Sequence, residues 1–197
     1  MLTKKWILSL LILVIGGISV WYIAWTRSHL VDTTIVGVNY QLGGTNADNT
    51  QPETVTLKGS WSRNVKGLRT FKGTITFAND TIPVPEDSRK TTIHFDKNGY
   101  GPIIYGYFDE SVSGIGVPLT YGYGVLFASS DFSKVTFLRM KEAATVDNST
   151  RSGWNGEDGL MFAGPAMNRE QALEISNELM KKHLKNPGYV DGQFVLK

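Results

Sequence analysis

Four tyrosines and one adjacent pair of acids are the side chains in this sequence best spaced to meet a ligand. Tyr105 and Tyr107 flank Gly106, while Tyr121 and Tyr123 alternate with Gly122 and Gly124. Alternate residues of a strand share a face, so each pair sets two phenol rings on one side and glycine on the other. If the two strands are neighbours, four rings make a platform for a sugar ring or a partner's surface, since each ring is flat and apolar with a polar tip. The competing explanation is that aromatic cross-strand pairs stabilise the sheet, tyrosine being a favoured strand residue with no ligand at all. Asp109 and Glu110 follow the first pair. Two carboxyls flanking a scissile bond can hydrolyse a glycoside. Neighbours on a strand point to opposite faces, so a second acid, such as Asp131 or Glu157, is needed from elsewhere.

Other chemistries find less support. His29, His94 and His183 lie far apart and lack the short spacings of a zinc site; His94, between Ile93 and Phe95, reads as a solvated strand residue. The chain has no cysteine, which removes a thiol nucleophile, a disulfide framework and a lipid-modified N-terminal cysteine. Asp96-Lys97-Asn98-Gly99 has the start of a calcium loop but no closing glutamate, and Asn98-Gly99 is better explained as a hairpin turn. The acids Asp147, Glu157 and Asp158 fall in a polar loop and do not supply the six to eight oxygens that calcium takes. There is no G-x-S-x-G elbow, and Gly122 and Gly124 lack the third glycine and the strand-to-helix setting of a dinucleotide loop. The expectation is no metal and no cofactor.

The elements that must position these residues begin with residues 6–25, WILSLLILVIGGISVWYIAW, which carry no charge. A bilayer core of ~30 Å needs ~20 apolar residues in a helix, so the run is long enough to insert in the lipid bilayer as a single span. Lys4 and Lys5 precede it and Arg27 follows, a bias that places the N-terminus in the cytoplasm. The alternative is a signal peptide cleaved on secretion. Against it stand an apolar run longer than a signal core and the bulky Trp21, Tyr22 and Trp25 where a peptidase prefers small residues. Of the 20 Lys and Arg, three flank the run, leaving 17 against 18 Asp and Glu. A near-neutral remainder offers no broad basic field for nucleic acid.

Past the anchor the hydrophobic period becomes two. Strands are expected at 33–41, 54–62, 70–78, 90–96, 100–108, 119–128, 134–140, 160–163 and 189–196, with polar loops at 43–53 and 144–159. Pro102 keeps the start of its strand off a central position. A helix is expected over 169–185: Asn168 and Gln171 can cap it, and Lys181, Lys182, His183 and Lys185 fill its last turn. Those cations complement the helix dipole, or else meet a phosphate or an anionic lipid. The fold class that follows is mainly β with one C-terminal helix, an N-terminal transmembrane helix preceding an antiparallel β-sandwich or barrel-like domain. The divisions are an anchor at 1–29, a strand or stalk and linker at 30–53, and the β-rich domain at 54–197.

The Lys-Lys flanked anchor, LKGSWSRNVKGLRTFKGTITF (Leu57 to Phe77) and SSDFSKVTFLRM (Ser129 to Met140) together resemble uncharacterised single-pass membrane-anchored extracytoplasmic proteins of Gram-positive bacteria. The resemblance implies no known activity and transfers no site residue. Two functions are therefore expected of the sequence. One is a membrane-tethered, non-catalytic binding module of the cell envelope, its partner a cell-wall glycan or a membrane protein, met through Tyr105, Tyr107, Tyr121 and Tyr123. The other is an envelope hydrolase using paired carboxylates, with Asp109 and Glu110 as its first residues.

Overall fold

The computed structural model describes residues 2–43, 50–109, 116–142, 152–185 and 195–197. It opens with α1 (Leu2–Thr26), whose 21 residues from Trp6 to Thr26 are long and apolar enough to cross a membrane, with none of the span buried against the rest of the protein. At 1.5 Å per residue the span is ~32 Å, close to the thickness of a hydrocarbon core. Only Arg27 and Ser28 separate it from β1 (His29–Gln41).

The remainder is mainly antiparallel β. Residues rich in Val, Ile, Thr and aromatic side chains form β2 (Thr50–Arg63), β3 (Arg69–Phe77), β4 (Thr91–His94), β5 (Gly101–Asp109), β6 (Val117–Ala128) and β7 (Val135–Arg139). A two-stranded ribbon, β8 (Lys141–Glu142) with β9 (Ser152–Gly153), precedes β10 (Leu160–Gly164). Eight strands join in one sheet in the order β4-β3-β2-β1-β10-β7-β6-β5, which curls into a nearly closed barrel. Residues 30–53, read from sequence as a strand or stalk and a polar linker, contribute all but the first residue of β1 and the start of β2, paired over twelve positions from His29–Trp61 to Tyr40–Thr50.

Curling needs close approach of backbone inside the barrel. Gly59 of β2 faces Gly73 of β3 in register, and a Cβ on either would run into the carbonyl of Lys72 or Lys58. Here glycine permits the bend of the sheet. On β6 a bulge at Gly124, with φ of 153°, sits opposite the register shift between Ile103 and Ile104. It switches which residues of β6 face inward.

Two cores result. Val55, Leu57, Phe71, Ile75, Phe77, Ile93, Phe137 and Phe162 fill the barrel, in the alternation expected of β2 and β3. Outside it, α2 (Arg169–Leu184) lays Ala172, Ile175, Met180 and Leu184 over Val38, Tyr40, Leu138, Met161 and Ala163. Asn168 caps α2 by accepting a hydrogen bond from the Gln171 amide at 3.0 Å. Gln171 reaches back one residue further than a capping box requires, to the Met167 amide at 2.9 Å. Leu196 ties to Asn177 of α2 through two hydrogen bonds. Val195, Leu196 and Lys197 are not in a strand, and the rest of the strand expected at 189–196 lies outside the described residues.

The Asn98-Gly99 turn forms, with Gly99 at φ of 86° and the Asp96 amide donating to the Tyr100 carbonyl. Its two strands nevertheless share no ladder. β4 and β5 are the two edges of the sheet and close the seam by packing, with the Thr91 hydroxyl donating to the Ile104 carbonyl at 3.1 Å. The edge position of β5 agrees with Pro102 in its first turn of backbone.

Candidate functional site

The strands run between two ends of the barrel, a near end beside α1 and a far end. At the near end three turns gather. Asn64 Oδ1 accepts the amides of Lys66 and Leu68, and Gly67 takes φ of 77°, so the β2–β3 turn holds Lys66 outward and exposed. Asp96 Oδ1 accepts the amides of Asn98 and Tyr100, each at 2.8 Å, and sets Lys97 at the β4–β5 turn. The last turn of α2 brings Lys181 and Lys182. With Trp25 of α1, these segments line a cleft of about 570 Å³ that also includes Arg63, Arg69, Phe127 and Glu178.

Two arginines in this cleft are held by more than one contact. Arg63 lies over the rings of Trp25 and Trp61, 5.4 and 5.0 Å from their centroids, and Trp61 in turn stacks on His29. Arg69, the first residue of β3, plugs the near end of the barrel over Phe95 and Phe132. It donates to the carbonyls of Ser129 at 2.6 Å and Ala128 at 2.7 Å. Burial, and then the charge of Arg63, lower its affinity for its proton. Trp25 donates from its indole nitrogen to the Asn64 carbonyl at 3.1 Å, which fastens the end of α1 to the β2–β3 turn.

At the far end the sequence-predicted tyrosines are brought together. β5 and β6 are neighbours, with Tyr105 opposite Tyr121, and all four rings share one face. That face is the barrel interior. Tyr105 and Tyr123 are 1% and 4% exposed and belong to the core, while Tyr107 and Tyr121 pack half-buried against it. The open platform expected from sequence is therefore corrected to a lining of the core. The opposite face combines Gly106, Thr120 and Gly122 with Ile104 and Phe108, which remain exposed, so the local pattern did not decide which face turns inward.

Burial raises the Tyr105 phenol to about 12 and the Tyr123 phenol further. Tyr123 donates to Asp80 at 3.0 Å, and Asp80 pairs with Arg139 at 2.6 Å. Beside them Glu53, 2% exposed, accepts the amides of Thr54, Ala78 and Asn79 on one oxygen. A second cleft of about 210 Å³, lined by Asn39, Gln51 and Arg139 among others, opens at this end.

Of the acids named as partners for Asp109, Asp131 is placed at the opposite end of the barrel. Asp109 ends β5 opposite Val117, and Glu110 lies outside the described residues. Asp131 follows the other end of β6, which at ~3.3 Å per residue puts it more than 30 Å along the strand from Val117. There its carboxylate accepts Ser129 and Ser133, bonds that hold its pKa well below the usual carboxylate range. Acid and nucleophile of a glycosidase stand within ~10 Å, so Asp131 is not the partner of Asp109. Glu157 sits exposed in the turn before β10. Among the described residues, no group of three or more His, Asp or Glu is placed to hold a metal. His94 is exposed on its strand and meets Thr70 at 3.2 Å.

Compared with known proteins, the chain matches no family model, no curated protein and no solved structure. Function has to be argued from the geometry.

Proposed function

We propose that this protein is a membrane-tethered, non-catalytic binding module of the cell envelope, held outside the cytoplasm by a single N-terminal span. The observation that carries the reading is the joint between α1 and the barrel. Two residues separate them, Trp25 is hydrogen-bonded to Asn64, and Arg63 stacks on Trp25. A Trp at the end of a span sits at the bilayer interface, so the barrel would rest on the membrane rather than float on a tether. The same contacts favour a retained anchor over a cleaved signal, because cleavage would strip Trp25 from its partners. Among the described residues the near-end cleft gathers cations rather than paired carboxylates, a lining suited to binding. A membrane protein or a cell-wall glycan is the partner class we assign to the module as a whole.

The native chain has no cysteine, which makes its topology simple to test. Thr92→Cys, exposed on β4, is expected to react with a membrane-impermeant maleimide on intact cells, and Thr3→Cys only after lysis. Labelling of Thr92→Cys only after lysis would overturn the placement outside. Protein found in the medium and lacking residues 1–25 would overturn the anchor.

A further inference from the structure

We propose that the near-end cleft binds the phosphate headgroup of an anionic phospholipid in the leaflet that meets the C-terminal end of α1. The inference deepens the reading above and rests on its retained anchor. It starts from charge. Six basic side chains, Arg63, Lys66, Arg69, Lys97, Lys181 and Lys182, line the cleft against two acids, Asp96 and Glu178. Neither acid balances them. Asp96 spends Oδ1 on the amides of its own turn, and Glu178 is drawn to Lys134 at 2.7 Å. Among the described residues none of the four lysines is in an ion pair. A domain carrying 17 basic and 18 acidic side chains in all thus gathers six of its cations in one cleft.

Location selects the anion. One wall of the cleft is Trp25, in the last turn of the span, so the cleft opens at the depth of the headgroups. Anionic lipid attracts juxtamembrane basic clusters. A cluster merely attracted to the surface needs no shape, whereas this one is built. Arg63 is fixed between two indole rings and Arg69 between two phenyl rings and two carbonyls. The Arg63 guanidinium, held by rings alone, presents a planar fork matched to phosphate oxygens; Arg69, whose two terminal nitrogens already donate to carbonyls, contributes fixed charge behind it, and the lysines add mobile charge around both. The volume of about 570 Å³ lies within the ~300–1,000 Å³ usual for small-ligand sites.

The test is native mass spectrometry of the full-length protein released from micelles holding equal phosphatidylglycerol and phosphatidylcholine. The expected result is one retained phosphatidylglycerol, with affinity reduced about tenfold or more in Lys181→Gln/Lys182→Gln, whose sites are exposed and outside the core. Arg63→Gln should weaken retention further, but it also removes the stacking on Trp25 and Trp61, so the lysine pair decides. The control is Lys58→Gln/Lys72→Gln, an equal loss of charge on the outer face of β2 and β3. If the control weakens retention equally, the attraction is diffuse and the site is refuted. Equal retention of phosphatidylcholine refutes it as well. Inorganic phosphate or glycerol phosphate binding as tightly in micelles free of phosphatidylglycerol would assign the cleft to a soluble phosphate and overturn the lipid. None of these readings depends on which side of the membrane the barrel faces, so the maleimide experiment can fail while this one succeeds.

Discussion

The two ends of the barrel handle charge in opposite ways. At the far end the buried and half-buried ionised groups Asp80, Arg139 and Glu53 meet complements inside the protein: Asp80 with Arg139 and the Tyr123 hydroxyl, Glu53 with three backbone amides. At the near end six cations converge and the two acids are engaged elsewhere. A buried or half-buried charge without a partner is costly, and like charges close together repel. The far end therefore contributes to holding the barrel shut, while the near end gives up stability. That contrast separates scaffold from site more clearly than any single residue type.

The comparison breaks first at Glu53. Glu53→Ala removes the carboxylate acceptor shared by the Thr54, Ala78 and Asn79 amides, of which Ala78 retains the Thr54 carbonyl at 2.9 Å, and is expected to cost about 2 kcal/mol, the order of a lost charge-assisted acceptor. Glu53→Gln keeps an acceptor oxygen and should cost about 1 kcal/mol. Thermal unfolding of the full-length chain in micelles measures both; equal losses would mean that the amides find other partners. Asp80→Asn should cost about 2 kcal/mol, between the values of exposed and buried pairs, since both partners are about one-quarter exposed. Its effect should change little with salt.

High pH tests the same end. A phenol whose pKa is raised on folding holds its proton in the native state at a pH where the unfolded chain has released it. Stability is thus full below the unfolded value of about 10 and falls as pH rises toward the folded one, which for Tyr105 is about 12. Each such tyrosine should steepen the loss by about 1.4 kcal/mol per pH unit. Phenolate absorbance followed with circular dichroism should show Tyr105→Phe and Tyr123→Phe flattening the alkaline transition. A wild-type chain whose eight tyrosines all ionise before it unfolds would contradict their burial.

The strands and α2 were legible because alternation and periodicity are local, and Val55, Leu57, Phe71 and Ile75 landed inside as their pattern required. Alternation tells which residues share a face but not which face is buried, and so Tyr105 and Tyr123 could be grouped on one face while the choice between an open platform and a sheet-stabilising pair stayed open. Asn98-Gly99 specified a turn but not a ladder: whether β4 pairs with β5 depends on how far the whole sheet curls, to which Gly59 and Gly73 contribute from other strands. The basic cleft was legible only in Lys181 and Lys182. Its other cations come from the end of β2, the two turns and the start of β3, and no window of sequence contains them together. A whole-chain charge count hid the cluster because acids elsewhere balanced it.

The smallest expected effect sharpens the comparison from the near end. Lys181 and Lys182 have two opposed influences on stability. They complement the C-terminal dipole of α2, which stabilises, and they stand beside Arg63, Lys66, Arg69 and Lys97, which destabilises. Without lipid, Lys181→Gln/Lys182→Gln should shift stability by no more than about 0.5 kcal/mol, as surface substitutions usually do. The sign of the salt response separates the two influences. Salt shortens the Debye length from ~10 Å at 0.1 M to ~3 Å at 1 M, and so weakens whichever interaction dominates. If repulsion dominates, added salt raises the unfolding temperature of the wild-type chain and raises that of the lysine variant less. If the dipole dominates, salt lowers the wild-type value, and the cations are adequately explained by the helix that carries them. We expect the first, because four of the six charges belong to other elements and owe nothing to α2.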